Sequence, residues 1–334
     1  MTSTVKLALP DAPRLLIARP DRVGDVIIST SCLAPLRQAF PRAKLFFLAA
    51  ERMRPFLDGH PDLTGFISDP TEIARLTLDA IVHLHPDKEC YRAAHNAEVP
   101  IRIGYRHKSL SKHLTQALED RRTEGLKHEA EYNFDLLQLL GVVQPAHLEA
   151  NVHLPESALG SLRTKLPWPL ESMRFAVLNP SAHSPVARWP IDYFLLLADK
   201  LQSEHGLLPV FIGADSDDEV PALPSRFLNL AGKTDLGELG WLLKHARVLA
   251  SRDTGPSHLA AAVGCPVVVI FGRTAPIYGP TRWRPLTEKA VMVTRSVLRK
   301  RWESREKHWR RSFAAIHVDE VESAVRQALT TWAK

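Results

Sequence analysis

Residues 251–264 read Ser-Arg-Asp-Thr-Gly-Pro-Ser-His-Leu-Ala-Ala-Ala-Val-Gly. They lie between an apolar run ending at Leu249-Ala250 and a second one, Val267-Val268-Val269-Ile270-Phe271. The spacing predicts strand, tight turn, short helix, strand. Pro256 suits the first helical position and Gly264 the position just past the end. Such a turn aims free backbone N–H groups and the positive end of a helix dipole at one spot, which favours phosphate. Thr254, Gly255, Ser257 and His258 surround that spot, and Asp253, at the strand end, is placed to fix a sugar hydroxyl beside it. The same residue types also fill ordinary βα turns for their backbone preferences alone. On this segment by itself both readings stand.

The surrounding chain repeats the alternation. In the first half, strands are predicted at Leu15–Ala18, Lys44–Ala49, Gly65–Ser68, Ala80–Leu84 and Ile101–Gly104, with helices from about Asp25, near Glu51–Leu57, near Lys88–Ala97 and over Glu129–Leu140. Pro35 kinks or restarts the first helix. Gln144–Leu170, with Pro145, Pro155, Pro167 and Pro169, reads as an interdomain crossing. A second set comes after it: strands at Phe175–Leu178, Leu208–Ile212, Val248–Ser251, Val267–Phe271 and Ala290–Val293, helices at Ile191–His205, Leu236–His245 and Val318–Trp332. Alternation of this kind implies parallel sheets covered on both faces. The expected organisation is an α/β chain of two similar domains, 1–160 and 170–315, with a closing helix in 316–334 that packs back on the first domain. A ligand cleft is expected at the carboxyl ends of both sheets.

The chain's 334 residues are enough for two cores. No apolar run reaches bilayer length, and the N-terminus lacks the apolar core of a secretory signal. Cys32, Cys90 and Cys265 give neither a disulfide framework nor a zinc spacing, so a cytoplasmic location is expected. The net charge of +6 is concentrated. Residues 299–311 hold seven Lys/Arg (Arg299, Lys300, Arg301, Arg305, Lys307, Arg310, Arg311) against Glu303 and Glu306. Leu298, Trp302, Trp309, Phe313 and Ile316 fall on one face if the segment is helical. A basic amphipathic helix fits an anionic membrane surface. Packing of the Trp stripe on the core is the competing reading. A nucleic-acid partner is not expected, since no recognition motif accompanies the charge.

Three further places carry chemistry. Asp21-Arg22-Val23-Gly24-Asp25 follows the first strand, where a dinucleotide fold would place G-x-G-x-x-G; only Gly24 is present, which argues against nicotinamide or flavin. Asp25 sits at the strand-to-helix junction, as a helix cap or as an acid–base group. Asn179-Pro180-Ser181-Ala182-His183-Ser184 with Arg188-Trp189-Pro190 occupies the equivalent position in the second half. There Arg188 can place a guanidinium on a diphosphate, with Ser181 and His183 as further donors. Asp215 and Asp217 form a D-x-D at a helix start. Capping outweighs metal binding at such a place, and Asp215 stands as a candidate ribose contact. No metal or cofactor spacing is evident.

Taken in order, these blocks resemble glycosyltransferase family 9, the ADP-heptose–lipopolysaccharide heptosyltransferases. The resemblance rests on Val23-Gly24-Asp25-Val26-Ile27, Ile101-Arg102-Ile103-Gly104, His128-Glu129 onward to Leu140-Gly141, Asn179-Pro180-Ser181 with Arg188-Trp189-Pro190, and Asp253-Thr254-Gly255 with Ser257-His258-Leu259. It implies a GT-B fold of two Rossmann-like domains and an inverting, metal-independent transfer of heptose from ADP-heptose to an inner-core sugar of lipopolysaccharide. It implies a monomer, peripheral on the cytoplasmic face of the inner membrane. Asp25 would be the general base, with Arg22 and Gly24 on the acceptor side. Thr254 and Gly255 would contact the diphosphate, Asp253 the donor sugar, His258 the phosphate region and Thr234 the adenine wall.

Two departures stand out. The family usually has Lys just before Arg-Trp-Pro, where this chain has Ala187, so Arg188, Lys233 or Arg273 must supply the cation or activity is weak. Many members carry a Cys-rich stretch near the C-terminal end, where this chain has the basic segment and no Cys. Alternative readings on the same fold are a transferase or epimerase using another nucleotide-sugar, and a weakly active nucleotide-sugar binding protein.

Overall fold

The computed structural model describes residues 7–181, 188–214 and 223–332. The chain divides into two compact units, Met1–His153 and Leu154–Lys334.

The first unit runs β1 (Arg14–Ala18), α1 (Val23–Ser29), α2 (Leu33–Ala39), β2 (Lys44–Leu48), α3 (Arg54–Leu57), β3 (Gly65–Ile67), β4 (Ala80–His83), α4 (Lys88–Asn96), β5 (Ile101–Tyr105), β6 (Gln116–Leu118) and α5 (Glu129–Leu137). Its sheet is parallel, in the order β3-β2-β1-β4-β5-β6. Leu16, Ala18, Leu48 and Ile81 anchor one core, and Cys90 and Ala94 of α4 cover it. Pro35 restarts the helix: α1 passes through one 3₁₀ turn into α2.

The second unit runs α6 (Glu156–Lys165), β7 (Phe175–Asn179), α7 (Ile191–His205), β8 (Leu208–Phe211), β9 (Leu228–Asn229), α8 (Leu236–His245), β10 (Val248–Arg252), α9 (Gly255–Ala262), β11 (Val267–Phe271), α10 (Pro280–Trp283), β12 (Ala290–Thr294), α11 (Arg305–Ala314) and α12 (Val318–Trp332). Its order, β12-β11-β10-β7-β8-β9, repeats that of the first unit. β7, β10 and β11 are buried along their whole length, as unbroken apolar runs in a two-sided parallel sheet should be.

In each unit the order reverses beside its first strand: between β1 and β4, and between β7 and β10. Loops leaving two such strands diverge to opposite faces and open a crevice at their carboxyl ends.

Two sequence expectations are corrected. The proline-rich crossing contains α6, because Pro155 stands at its N-cap and Pro167 lies beyond its end, so the prolines bracket a helix instead of breaking one. The basic amphipathic helix is confined to Arg305–Ala314, since Ser304 caps it by accepting from Lys307 N–H. Leu298 and Trp302 therefore leave the stripe and are 89% and 85% exposed, while Phe313 and Ile316 are buried. The closing helix α12 buries Val321, Val325 and Ala328 in the core of the second unit, beside Val248 and Val268. Its apolar stripe is occupied there.

Candidate functional site

At the β1/β4 crevice, Arg19 follows β1 directly and is 1% exposed. Its Nε lies 2.8 Å from Asp21 Oδ1, and its Nη2 lies 2.5 Å from Asp25 Oδ1 and 3.1 Å from Glu129 Oε1. Its Nη1 donates to Leu84 O at 3.2 Å. Burial opposes the Arg19 charge, yet Asp25, Asp21 and Glu129 outweigh it and hold the pKa above the ordinary value.

Asp25 stands at the third position of α1, in its first turn; the N-cap is Arg22, whose side chain makes no cap. The carboxylate accepts from Arg19 instead. Arg22 is exposed and Gly24 buried. His85 Nδ1 lies 3.3 Å from Asp21 Oδ2, and Asn133 Nδ2 donates to Ser29 Oγ at 3.1 Å, tying α5 to α1. The sequence singled out Asp25 but neither Arg19 nor the partnership of Glu129. The available signal was a charged residue directly behind the apolar run Leu15–Ala18, which a sheet end buries only with counter-charge.

At the β7/β10 crevice, Thr254 caps α9 with extended backbone, and Pro256 lies in the first turn. Ser257 Oγ donates to Thr254 O at 2.7 Å. Thr254 Oγ1 accepts from Asn179 Nδ2 at 3.0 Å, so the last residue of β7 fixes the turn after β10. His258 Nε2 lies 3.5 Å from Asp253 Oδ1. Pro256 has no N–H and Ser257 N–H donates to Thr254 O at 3.0 Å, so Gly255 N–H leads α9 beside Asp253 and Thr254.

Three buried atoms at this end have no hydrogen-bond partner: Asn179 Oδ1, Arg252 Nε and His258 Nδ1. Buried polar atoms are seldom left unsatisfied without a reason, and a polar ligand supplies one.

The remaining expected residues disperse over the second unit. Ser181 Oγ accepts from Ala214 N–H at 3.0 Å. Arg188 is half-buried before Trp189, which is fully buried and donates to Ile316 O at 2.8 Å. Thr234, half-buried, immediately precedes Asp235, the N-cap of α8. His183 and Asp215 lie outside the described residues, as does Ala187. Arg252 was missed by the sequence reading and is the buried cation nearest in sequence to the Asp253 turn.

Residues 94–313 match the model of glycosyltransferase family 9 (heptosyltransferase). The chain belongs to glycosyltransferase family 9. Similar proteins include lipopolysaccharide heptosyltransferase 3 of Escherichia coli strain K12, 25% identical over 299 residues, which are 80% of this chain and 84% of that protein. Lipooligosaccharide heptosyltransferase 2 of Haemophilus ducreyi is 26% identical over 311 residues, 84% of this chain and 88% of that one. Among solved structures, the E. coli ADP-heptose lps heptosyltransferase II matches with a TM-score of 0.79 at 21% identity, over 95% of this chain and 98% of that one. The family 9 glycosyltransferase of Veillonella parvula matches with a TM-score of 0.80 at 20% identity, over 96% and 99%. The fold is of the GT-B type, and this family 9 member is a glycosyltransferase enzyme.

Proposed function

We propose that this glycosyltransferase moves a heptose from ADP-heptose to an inner-core sugar of lipopolysaccharide, with inversion and without a metal. The family description and the names of the similar proteins support the sugar and the acceptor. The observation that carries the donor assignment is the α9 N-terminus flanked by three buried, unpartnered polar atoms at the β7/β10 reversal.

In this reading Asp25 takes the proton from the acceptor hydroxyl. The oxygen attacks C1 of the heptose from the face opposite the diphosphate. The C1–O bond breaks, ADP departs with the bonding pair, and the single displacement inverts the anomeric centre. Charge grows on the leaving oxygen, and the Gly255 N–H, the dipole of α9 and Arg188 offset it in place. Arg19 positions Asp25 without entering the reaction. Asp253 holds the donor sugar, Thr254 and Gly255 the diphosphate, and Thr234 borders the base.

The test is Asp25→Asn, assayed with ADP-heptose and a heptose-deficient core acceptor. A positioned general base contributes about 10²–10⁴-fold, so turnover is expected to fall by that factor while ADP binding, measured by calorimetry, stays unchanged. Wild-type turnover in the variant removes Asp25 from the mechanism. Binding of UDP in preference to ADP by the wild type removes the donor assignment.

A further inference from the structure

Arg252 ends β10 and is 3% exposed. Its Nε has no hydrogen-bond partner, and no carboxylate among the described residues lies within ion-pair distance of its guanidinium. What it has is a ring: the guanidinium carbon lies 4.9 Å from the centroid of Phe313. Arg273, two residues beyond the end of the neighbouring strand β11, lies 5.2 Å from the Trp309 ring and 4.8 Å from Tyr278. Trp309 and Phe313 are four apart on α11 and therefore share a face. One face of α11 thus carries two guanidinium groups, one of them on the residue that precedes the Asp253-Thr254-Gly255 turn. Gly272 is required here, because a Cβ at that position would enter the Phe313 ring.

This arrangement disfavours the Arg252 charge. Burial, then Arg273, then Arg188 push the Arg252 pKa down to about 10, and Asp253 only partly opposes them. Like charges are gathered where each disfavours the other. Rings hold an arginine by its face and do not use its in-plane N–H donors, and the fork of those donors matches phosphate oxygens. The chain also has Ala187 where the family resemblance leads one to expect a lysine.

We propose that Arg252 and Arg273, seated on Phe313 and Trp309, bind the diphosphate of the nucleotide donor and stabilise it as it leaves. The inference rests on the donor reading above for the nucleoside, and on the arginine pair alone for the diphosphate. It gives α11 a role: the aromatic side of the basic helix is the platform for the anion site.

The experiment is calorimetric titration of the full chain with ADP, AMP, UDP and inorganic pyrophosphate, in wild type and in Arg252→Met, Arg273→Met and Arg252→Lys. Each Met variant is expected to lose about 10–100-fold in ADP affinity, the scale of a charged hydrogen bond, while AMP affinity moves by less than about threefold. Arg252→Lys is expected to recover part of the loss. The Tm of ligand-free Arg252→Met is expected to equal or exceed that of wild type, because a repelled, unpaired charge has been removed; a structural arginine would lower it. Should Arg252→Met fail to fold, the half-buried Arg273→Met decides by the same titrations. Unchanged ADP affinity in both Met variants overturns the proposal, as does equal loss of ADP and AMP. If the wild type binds UDP and not ADP, the donor reading falls and the pair is judged on UDP by the same criteria. If it binds none of the diphosphates, the pair falls too.

Discussion

Arg19 and Arg252 occupy matching places, each at the carboxyl end of a strand beside its sheet's reversal, and each is almost fully buried. Three carboxylates converge on Arg19 and raise its pKa; Arg252 faces arginines and its pKa falls. The first is a finished network that fixes Asp25, and the second gathers charge of one sign. His83, at the end of β4, shows a third outcome. It is completely buried, neither ring nitrogen has a partner, and burial, with Arg102 adding, pushes its pKa down to about 3. The folded protein therefore keeps His83 neutral, while the unfolded chain takes a proton near pH 6.5. Between those limits the unfolded state binds more protons, so stability falls as pH falls. The loss from this residue is expected to reach about 2 kcal/mol by pH 5. Urea unfolding of wild type and His83→Met at about pH 7.5, 6 and 5 checks it: the wild type should lose the additional stability and the variant should not. Parallel pH dependences would assign the acid sensitivity elsewhere.

At the scale of elements, β10, α9 and β11 were legible because pattern, caps and breakers agree within one short window. α6 and the start of α11 were not. Both depend on which residue takes the cap, a local competition that composition does not rank. The cap at the head of α8 also builds the joint between α6 and α8. Glu238 of α8, buried, receives Lys165 Nζ at 2.6 Å and Ser161 Oγ at 2.5 Å from α6, and caps its own helix through Asp235 N–H at 2.8 Å. Burial raises the Glu238 pKa, but Lys165, Ser161 and the Asp235 N–H outweigh it and leave it below the ordinary value. A depressed carboxylate contributes stability above its unfolded pKa and loses it as pH falls through the folded one. Glu238→Gln is therefore expected to cost about 1–3 kcal/mol near neutral pH, with the gap closing as pH drops below about 4.3. Denaturant titrations at neutral and acid pH test this, and a gap that persists unchanged in acid would count against the ion pair.

For the molecule as a whole, the net charge of +6 and its concentration in residues 299–311 bear on location. No helix among the described residues is long and apolar enough to cross a membrane. Leu298 and Trp302 are nonetheless strongly exposed, flanked by Arg299, Lys300, Arg301 and Arg305, while Glu303 is turned inward to Arg311 at 2.8 Å. Exposed apolar side chains set among cations are the composition that favours binding to an anionic lipid surface. Leu298→Ala with Trp302→Ala is expected to weaken sedimentation with phosphatidylglycerol-rich vesicles by about tenfold or more, and to leave turnover on a soluble core acceptor unchanged. Equal binding to phosphatidylcholine vesicles, or no loss in the double variant, would exclude the loop as an anchor.

The residues alone determined the two α/β halves, the strand–turn–helix around 253–258 and the place of Asp25 at the junction of β1 and α1, because short-range periodicity and turn chemistry are written locally. Only the tertiary structure decided that Arg19 is neutralised and Arg252 is not, and that Leu298 and Trp302 are exposed while Phe313 and Trp309 hold arginines. Burial and charge compensation depend on which strands become neighbours, and that pairing joins residues such as Arg19 and Glu129 across 110 positions of chain.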